Sequence, residues 1–267
     1  MSLNVSRAIR AAAHRTVSRN GAIFVLVFAL LGTLSTVVTD SLLLFVDSFA
    51  GEVEGAQPVD VPTPLGLPLS GSVIVLLGLA WLLANAAASV VAMRVLVSEH
   101  VDTIPDEMLS RRLTGATVND VAAEVVAAVL IGIGLLLLVV PGLFLAICFY
   151  FSRPLIAVED RSFVDALAES WRLTRGHRLR VFALLVIVAL VGLAVSIPAT
   201  LVSGLFAAAP AVGAVIGIVL RAVTTVFGLA VVARAFVQLH EVGDEPAADE
   251  GRPDEADEWN DPAGVEW

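Results

Sequence analysis

The sequence predicts an all-α polytopic membrane protein with six transmembrane helices in three hairpins and a short amphipathic helix at the membrane interface. Of its 267 residues, 58% are hydrophobic and only 16% are charged, whereas soluble domains average about 25% charged residues. Several apolar stretches reach the roughly 20 residues that a helix needs to cross a bilayer. A soluble fold of this size could not bury so much apolar surface. Lipid must therefore be the solvent for most of the chain.

Six stretches are long and apolar enough to be the spans. The stretch 121–158 is too long for one helix and is interrupted by Pro141-Gly142, a strong turn signal, so we divide it there. The predicted spans are 21–46, 71–97, 121–140, 142–158, 180–205 and 211–237. They belong to one transmembrane domain, 1–242.

The distribution of arginine distinguishes six spans from five. With six spans and the N-terminus inside, the outer connections carry no arginine, and Arg221 is the only one left within a span. With five spans the arginine-rich segment 153–180 would face outward, against the positive-inside rule. We therefore expect a multi-pass protein of the cell membrane with both termini in the cytoplasm.

Two connections between spans have patterns of their own. The outer loop 47–70 has four prolines and four acidic residues, a composition typical of an extended, solvated segment. The inner segment 98–120 is predicted to hold a short helix, with Pro105 in its first turn and Gly115 at its end.

The inner segment after the fourth span predicts the amphipathic helix. Ser162 is placed to cap it, with Asp165 in the capping-box position. Trp171 lies on the less polar face, where it would anchor the helix at the interface, and Gly176 would end it. The helix is either a connector that seats the next span, which we favour, or a dock for lipid headgroups or a partner.

A set of residues around this helix resembles a known pattern. The matching positions are Gly132, Gly134, Val140, Pro141, Gly142, Pro154, Val158, Glu159, Asp160, Asp165, Ala166, Leu167, Ser170, Trp171, Arg172, Leu173, Thr174 and Gly176. Over about 130–182 the chain resembles the uncharacterised haloarchaeal membrane families related to the membrane domain of glycerophosphoryl diester phosphodiesterases. In that broader group a soluble phosphodiesterase domain, where present, carries the chemistry. The resemblance therefore implies a membrane module without that domain, and it supplies no catalytic residue.

A search for catalytic and binding motifs predicts no enzyme. The chain has no nucleophile elbow, zinc-protease motif, phosphate-binding loop or cysteine pair. We therefore assign no catalytic, cofactor-binding or metal-binding residue and expect no cofactor. Glu159 and Asp160 could act as an acid–base pair at the interface, but the start of the following helix explains them more simply.

The charged residues are uneven in type and position. All 16 basic residues are arginine, and the formal net charge is −10. From Gly243 to Trp267 ten acidic residues face one arginine, which predicts a disordered acidic cytoplasmic tail over 243–267. The missing lysine and surplus carboxylate favour a halophilic archaeon, and a GC-rich genome is the alternative. Without clustered cations the chain is not expected to bind nucleic acid.

Two polar residues within the spans form a candidate ion pair, Asp40 and Arg221. An arginine deep in a bilayer costs about 2.5–3.5 kcal/mol, so it should have a partner or a route to water. Each residue lies on a stripe of small or polar residues, Gly32-Thr36-Asp40 and Gly213-Gly217-Arg221-Thr225. Such stripes let helices approach closely, which predicts contact between the first and sixth spans. The alternative is that Arg221 reaches the outer headgroups alone.

The sequence leaves the function open between two classes. Our first expectation is a non-catalytic membrane scaffold or membrane-organising module, whose partners would be membrane lipids and an unidentified protein or a second copy. The alternative is a transporter or lipid-handling protein. It would require a polar cavity between helices, lined by Asp40, Asn85 and Arg221.

The expected topology can be tested with single cysteines. Thr63→Cys and Ser110→Cys, each in a Cys148→Ser background, should react with a membrane-impermeant thiol reagent from opposite sides of the membrane. Intact and inverted vesicles provide the two sides. Labelling of both positions from one side would contradict the six-span topology.

Overall fold

The computed structural model describes residues 4–50, 62–98, 105–205 and 209–244, and most of these residues are helical. Within these residues there is no β-strand, and six helical segments are long and apolar enough to cross a membrane. The segments are Arg19–Phe49, Gly71–Val97, Leu113–Leu137, Val139–Glu159, Arg178–Pro198 and Pro210–His240. The predicted all-α, six-span fold class is confirmed.

The described residues form ten helices, numbered in chain order. They are α1 (Val5–Val17), α2 (Arg19–Ala50), α3 (Gly71–Val97), α4 (Asp106–Ser110), α5 (Leu113–Leu137), α6 (Val139–Cys148), α7 (Ser152–Glu159), α8 (Phe163–Leu173), α9 (Arg178–Leu205) and α10 (Pro210–Asp244). Helices α6 and α7 together make the fourth span. The predicted tail, 243–267, lies outside the described residues from 245 onward, and the predicted outer loop lies outside them over 51–61.

Helix α1 was not predicted. It places Ala8 and Ala12 on a fully buried face that packs against α10 and α2, while Arg7 and Arg10 are exposed. This one-sided pattern is that of an amphipathic helix lying along the end of a bundle. Its first turn is capped by Asn4, whose side-chain oxygen accepts a hydrogen bond from the Arg7 backbone at 3.0 Å.

The third span starts at Leu113, eight residues before the predicted 121. Gly115, expected to end a helix, lies inside α5, and the short helix of this segment is α4. Arg112 separates α4 from α5 with a φ of 43°. The extension is stable because a polar side chain in its second turn has a partner. Asn119 accepts a hydrogen bond from the Phe163 backbone through its side-chain oxygen.

The break between the third and fourth spans is at Leu138, three residues before the predicted turn. Leu138 is extended, with a φ of −161°, and α6 begins at the next residue. Pro141 and Gly142 therefore lie in the first turn of α6, where proline is tolerated because its missing N–H has no helical partner. Gly142 has a different task, since its backbone touches Gly134. A Cβ built on Gly134 would lie 2.7 Å from the Gly142 Cα.

The bundle is packed tightly in one half and loosely in the other. One end holds α1, α4, α8 and the helix ends that carry Arg94 and Arg234, and we call it the arginine-rich end. Near it, α3 buries nearly every residue from Ser89 to Leu96, and most of the fully buried residues of α10 fall between Val226 and Leu239. Helix α10 packs against α1, α2, α3 and α9 and is central to the bundle. The open half leaves room for cavities beside it.

The contact between Gly134 and Gly142 predicts the effect of a methyl group. Gly134→Ala should lower stability by about 1–3 kcal/mol, the usual cost of overpacking, because the added carbon meets backbone rather than a flexible side chain. The measurement is thermal unfolding of the purified protein in detergent. Gly132→Ala is the control on the same helix, since a Cβ there meets nothing within 4 Å. Equal melting temperatures for the two variants would contradict the close packing of this hairpin.

Candidate membrane-embedded binding site

Arg221 lies within the sixth span, about a third of the way along it from Pro210. It follows Pro210 by eleven residues, which is about 16 Å along the helix at 1.5 Å per residue. Its side chain is exposed on the surface of the protein. Among the described residues it forms no ion pair or hydrogen bond. An ionisable residue within a transmembrane segment is costly, and in membrane proteins it usually marks a binding or transport site.

One cavity beside Arg221 is small and polar, and we call it the polar chamber. It lies between α2, α3 and α10 and has a volume of about 160 Å³. Its lining residues are Phe28, Gly32, Ser35, Thr36, Trp81, Asn85, Ile218, Arg221, Ala222 and Thr225. The chamber exists between well-packed helices because Gly32 faces Ile218, where a Cβ would lie only 3.2 Å from the Ile218 side chain. Next to this contact, short polar side chains leave a gap.

The polar groups of the chamber are mainly hydrogen-bond donors. The Arg221 guanidinium offers five N–H groups and the Asn85 amide offers two. Within the described residues neither Asn85 nor Ser35 makes a hydrogen bond, whereas the Thr36 hydroxyl donates to the Gly32 carbonyl at 2.9 Å. Among the described residues, no carboxylate lines the chamber. A cationic, donor-rich chamber without an acid is suited to an anion.

A second cavity lies on the other side of Arg221, between α9 and α10, and we call it the α9–α10 groove. Its volume is about 630 Å³, and most of its lining is apolar. The lining residues are Arg153, Val188, Gly192, Val195, Ser196, Gly217, Leu220, Arg221, Thr224, Thr225, Gly228, Leu229 and Val232. On α10 they extend from Gly217 to Val232, about 22 Å along the helix. Arg221 and Thr225 line both cavities, so the chamber and the groove adjoin at these two residues.

The two ends of the groove differ in charge. Arg153 lies at the arginine-rich end, where its guanidinium pairs with Asp120 at 3.1 Å and also with Glu124. Arg221 lies towards the other end and has no acid beside it within the described residues. The uncompensated positive charge of the groove is therefore at Arg221.

The predicted ion pair between Asp40 and Arg221 is not among the ion pairs of the described residues. Asp40 is buried, and its carboxylate accepts a hydrogen bond from the Leu65 backbone at 3.1 Å. The neighbouring Ser41 hydroxyl accepts one from Leu67 at 3.0 Å. The turn before α3 folds back onto α2 and offers Asp40 a closer donor. Of the three residues expected to line a polar cavity, Asn85 and Arg221 do so and Asp40 does not.

A comparison with protein families matches residues 3–239 of the chain to one family, described as a domain of unknown function (DUF7847). The chain belongs to this family. The match includes α1 and nearly all of α10, and therefore both the chamber and the groove. No curated protein and no solved structure matches the chain.

The residues of the family-like pattern lie away from the chamber, where α6, α7 and α8 meet. Ser170 is fully buried there; its hydroxyl donates to the Cys148 carbonyl at 2.7 Å and accepts from the Phe151 backbone at 3.1 Å. Trp171 packs edge-to-face on Phe144, with ring centroids 5.4 Å apart. Ala166, Leu167 and Pro154 are buried in the same corner, Arg172 is exposed, and Gly176 has a φ of 84°. These contacts seat α8 against the fourth span.

Glu159 and Asp160 are engaged in ion pairs. Asp160 pairs with Arg94 at 3.3 Å and with Arg111 at 3.1 Å. Glu159 pairs with Arg161 at 2.7 Å and lies 3.0 Å from the His240 ring, and the hydrogen bond from Arg161 raises the pKa of that guanidinium. Both carboxylates therefore join the end of α7 to neighbouring segments. The ion pair between Asp160 and Arg94 was not predicted from the sequence.

Arg94 connects three segments at the arginine-rich end. Its side chain is 5% exposed, and it donates hydrogen bonds to the Ala157 carbonyl at 2.7 Å and the Met108 carbonyl at 3.1 Å, besides its pair with Asp160. The sequence signal was an arginine at the end of an apolar helix, which indicated topology but did not identify these partners.

Loss of the Arg94 guanidinium should destabilise the protein. Arg94→Gln removes a buried cation and leaves the carbonyl groups and Asp160 without it, and breaking a buried pair typically costs about 3–5 kcal/mol. Arg111→Gln is the matched control, because the Arg111 side chain is 53% exposed and exposed ion pairs contribute about 0–1 kcal/mol. Thermal unfolding in detergent measures both variants. A loss at Arg94 no larger than that at Arg111 would contradict the structural role of Arg94.

Proposed function

We propose that this protein binds an amphiphilic, lipid-like molecule within the membrane, which is the lipid-handling alternative of the sequence analysis. One observation carries the proposal: an apolar groove of about 630 Å³ adjoins a polar chamber at the side chain of Arg221. A molecule with one apolar part and one polar part matches this arrangement. Its hydrocarbon chain would lie along the α9–α10 groove, and its polar part would face Arg221.

The size and lining of the groove support a small-molecule ligand. Ligand sites in proteins usually have volumes of about 300–1,000 Å³ and mostly apolar walls with a few placed polar groups. The groove falls within this range, and its hydroxyl-bearing residues, Ser196, Thr224 and Thr225, are near Arg221 rather than Arg153. Two contacts fix how α9 and α10 align: Gly192 lies opposite Thr224, and Gly228 lies opposite Val188. By this alignment Ser196 lies beside Leu220.

The glycines explain why the groove is open. A Cβ built on Gly217 meets no atom within 4 Å, and one built on Gly192 or Gly228 makes only ordinary van der Waals contact. These positions carry no side chain although a Cβ would fit at each, so the α9–α10 groove stays open. Filling the α9–α10 groove with a side chain is consequently a direct test of ligand binding.

The scaffold function that the sequence favoured stays a prediction. It requires a partner surface, whereas the groove and chamber are local features with a defined volume and chemistry. The expectation that the protein is not an enzyme also stays a prediction, and binding an amphiphile requires no catalytic residue.

Photochemical labelling tests the proposal in a bilayer. The full chain is reconstituted with a phospholipid that carries a diazirine on one acyl chain, and mass spectrometry locates the labelled residues. We expect labelling of the groove residues above the level on other lipid-facing helix surfaces. Gly217→Leu should reduce it several-fold because the added side chain occupies the groove.

The control for Gly217→Leu is Gly132→Leu on α5, where a Cβ also meets nothing within 4 Å. This variant adds the same side chain outside the groove and should leave labelling of the groove unchanged. Labelling that is uniform around the bundle, or that survives Gly217→Leu, would contradict a ligand in the groove.

A further inference from the structure

We propose that the polar chamber binds the oxyanion headgroup of this amphiphile, with Arg221 as its main ligand. The inference rests on the proposed function and adds the chemical class of the polar part. Arg221 and Thr225 line both cavities, so a headgroup in the chamber can be continuous with a hydrocarbon chain in the groove.

The charge of Arg221 is the first reason for an anion. Its guanidinium has no acid beside it within the described residues, since Asp40 is bonded to the Leu65 backbone and the acids near the groove lie at Arg153. A cation at the centre of a transmembrane helix costs about 2.5–3.5 kcal/mol on insertion scales, and Arg221 lies about a third of the way along its span. An anionic ligand offsets that cost, whereas a neutral or cationic ligand does not.

The donor groups of the chamber are the second reason. A guanidinium presents parallel N–H groups that match the two oxygens of a carboxylate or phosphate. The Asn85 amide and the Ser35 hydroxyl line the same chamber without hydrogen bonds of their own among the described residues. They can donate to further oxygens of the same group. An oxyanion uses all these donors, whereas a single hydroxyl cannot.

The chamber volume limits what it can hold. Its volume of about 160 Å³ is about a quarter of the 630 Å³ of the α9–α10 groove. One oxyanion group with a few waters fits this space. The hydrocarbon part of the ligand does not, and it must occupy the groove on the other side of Arg221.

The bilayer gives the headgroup a decisive role. A hydrocarbon chain gains little by leaving lipid for an apolar groove, because lipid tails are as apolar as the groove wall. The preference for one amphiphile over the surrounding lipids must come from its polar part. Recognition by Arg221 in the chamber therefore supplies the selectivity, and the α9–α10 groove supplies the shape.

The test compares two diazirine-bearing lipids with identical chains, phosphatidic acid and diacylglycerol, on the reconstituted full chain. We expect labelling of the groove to be at least fivefold stronger with phosphatidic acid. Arg221→Gln should abolish this preference, and Arg221→Lys should retain part of it. Arg10→Gln removes the same charge from an exposed position on α1 and should leave the preference intact. Melting temperatures of all variants show whether they fold.

The outcomes separate the inference from the proposed function. Equal labelling of the groove by both lipids, or a preference that survives in Arg221→Gln, overturns the headgroup assignment while leaving a ligand in the groove. The absence of groove labelling with either lipid overturns both. Adding millimolar inorganic phosphate identifies the source of the oxyanion. A preference for phosphatidic acid that persists in phosphate supports a lipid headgroup. Equal labelling by the two lipids, together with phosphate binding that Arg221→Gln removes, assigns the chamber to free phosphate and overturns the lipid assignment.

Discussion

Helix ends leave backbone carbonyl groups without partners inside the helix, and these groups need other donors wherever they are buried. At the arginine-rich end three arginines bind such carbonyl groups. Arg94 donates to Ala157, Arg111 donates to Val158, and Arg234 donates to Leu96 and Val97, the last at 2.7 Å. The carbonyls belong to the ends of α7 and α3. The bonds from Arg94 and Arg234 hold α3, α7 and α10 together at this end of the bundle, whereas the Arg111 side chain is 53% exposed and contributes less.

The cavities depend on this fixed end. Because α3 and α10 are held together at the arginine-rich end, the halves of these helices nearest that end pack closely and bury most of the core. Towards the other end the helices carry glycine, serine and threonine where they face one another, and these residues fill less space. The chamber occupies that volume beside the central helix, and the groove extends from Arg221 along α10 to Val232 and Arg153 at the arginine-rich end. Arg221 lies on α10 where the packing becomes loose, so it can face both cavities.

The sequence predicted the features that depend on periodicity and charge. Hydropathy gave the number of spans, and the Ser162 cap and the amphipathic pattern predicted α8, which the structure has at Phe163–Leu173. The sequence analysis did not predict α1, although apolar residues recur along this helix at helical spacing. The break at Leu138 was placed three residues late, because Pro141 marks the first turn of a helix as readily as a turn between helices. A proline and a glycine alone do not specify whether the break between the two spans lies at Leu138 or at Pro141-Gly142.

The candidate site was harder to predict because it depends on contacts between distant segments. The stripes on the first and sixth spans indicated close approach, and Gly32, Thr36, Arg221 and Thr225 do line one cavity. The partner of Asp40, however, is a backbone N–H that a turn brings back over 25 residues of chain, and nothing in residue spacing encodes that turn.

Satisfying Asp40 in this way has a consequence for Arg221. A carboxylate beside the guanidinium would neutralise it and compete with any anionic ligand. The turn before α3 instead stabilises Asp40 with a donor that carries no formal charge, so the charge of Arg221 stays available to the chamber. The same folding step that makes the expected ion pair unnecessary for Asp40 thus leaves a cation in the membrane without an acid beside it. The proposed anionic headgroup would complete this arrangement, because it brings the negative charge that the described residues around Arg221 lack.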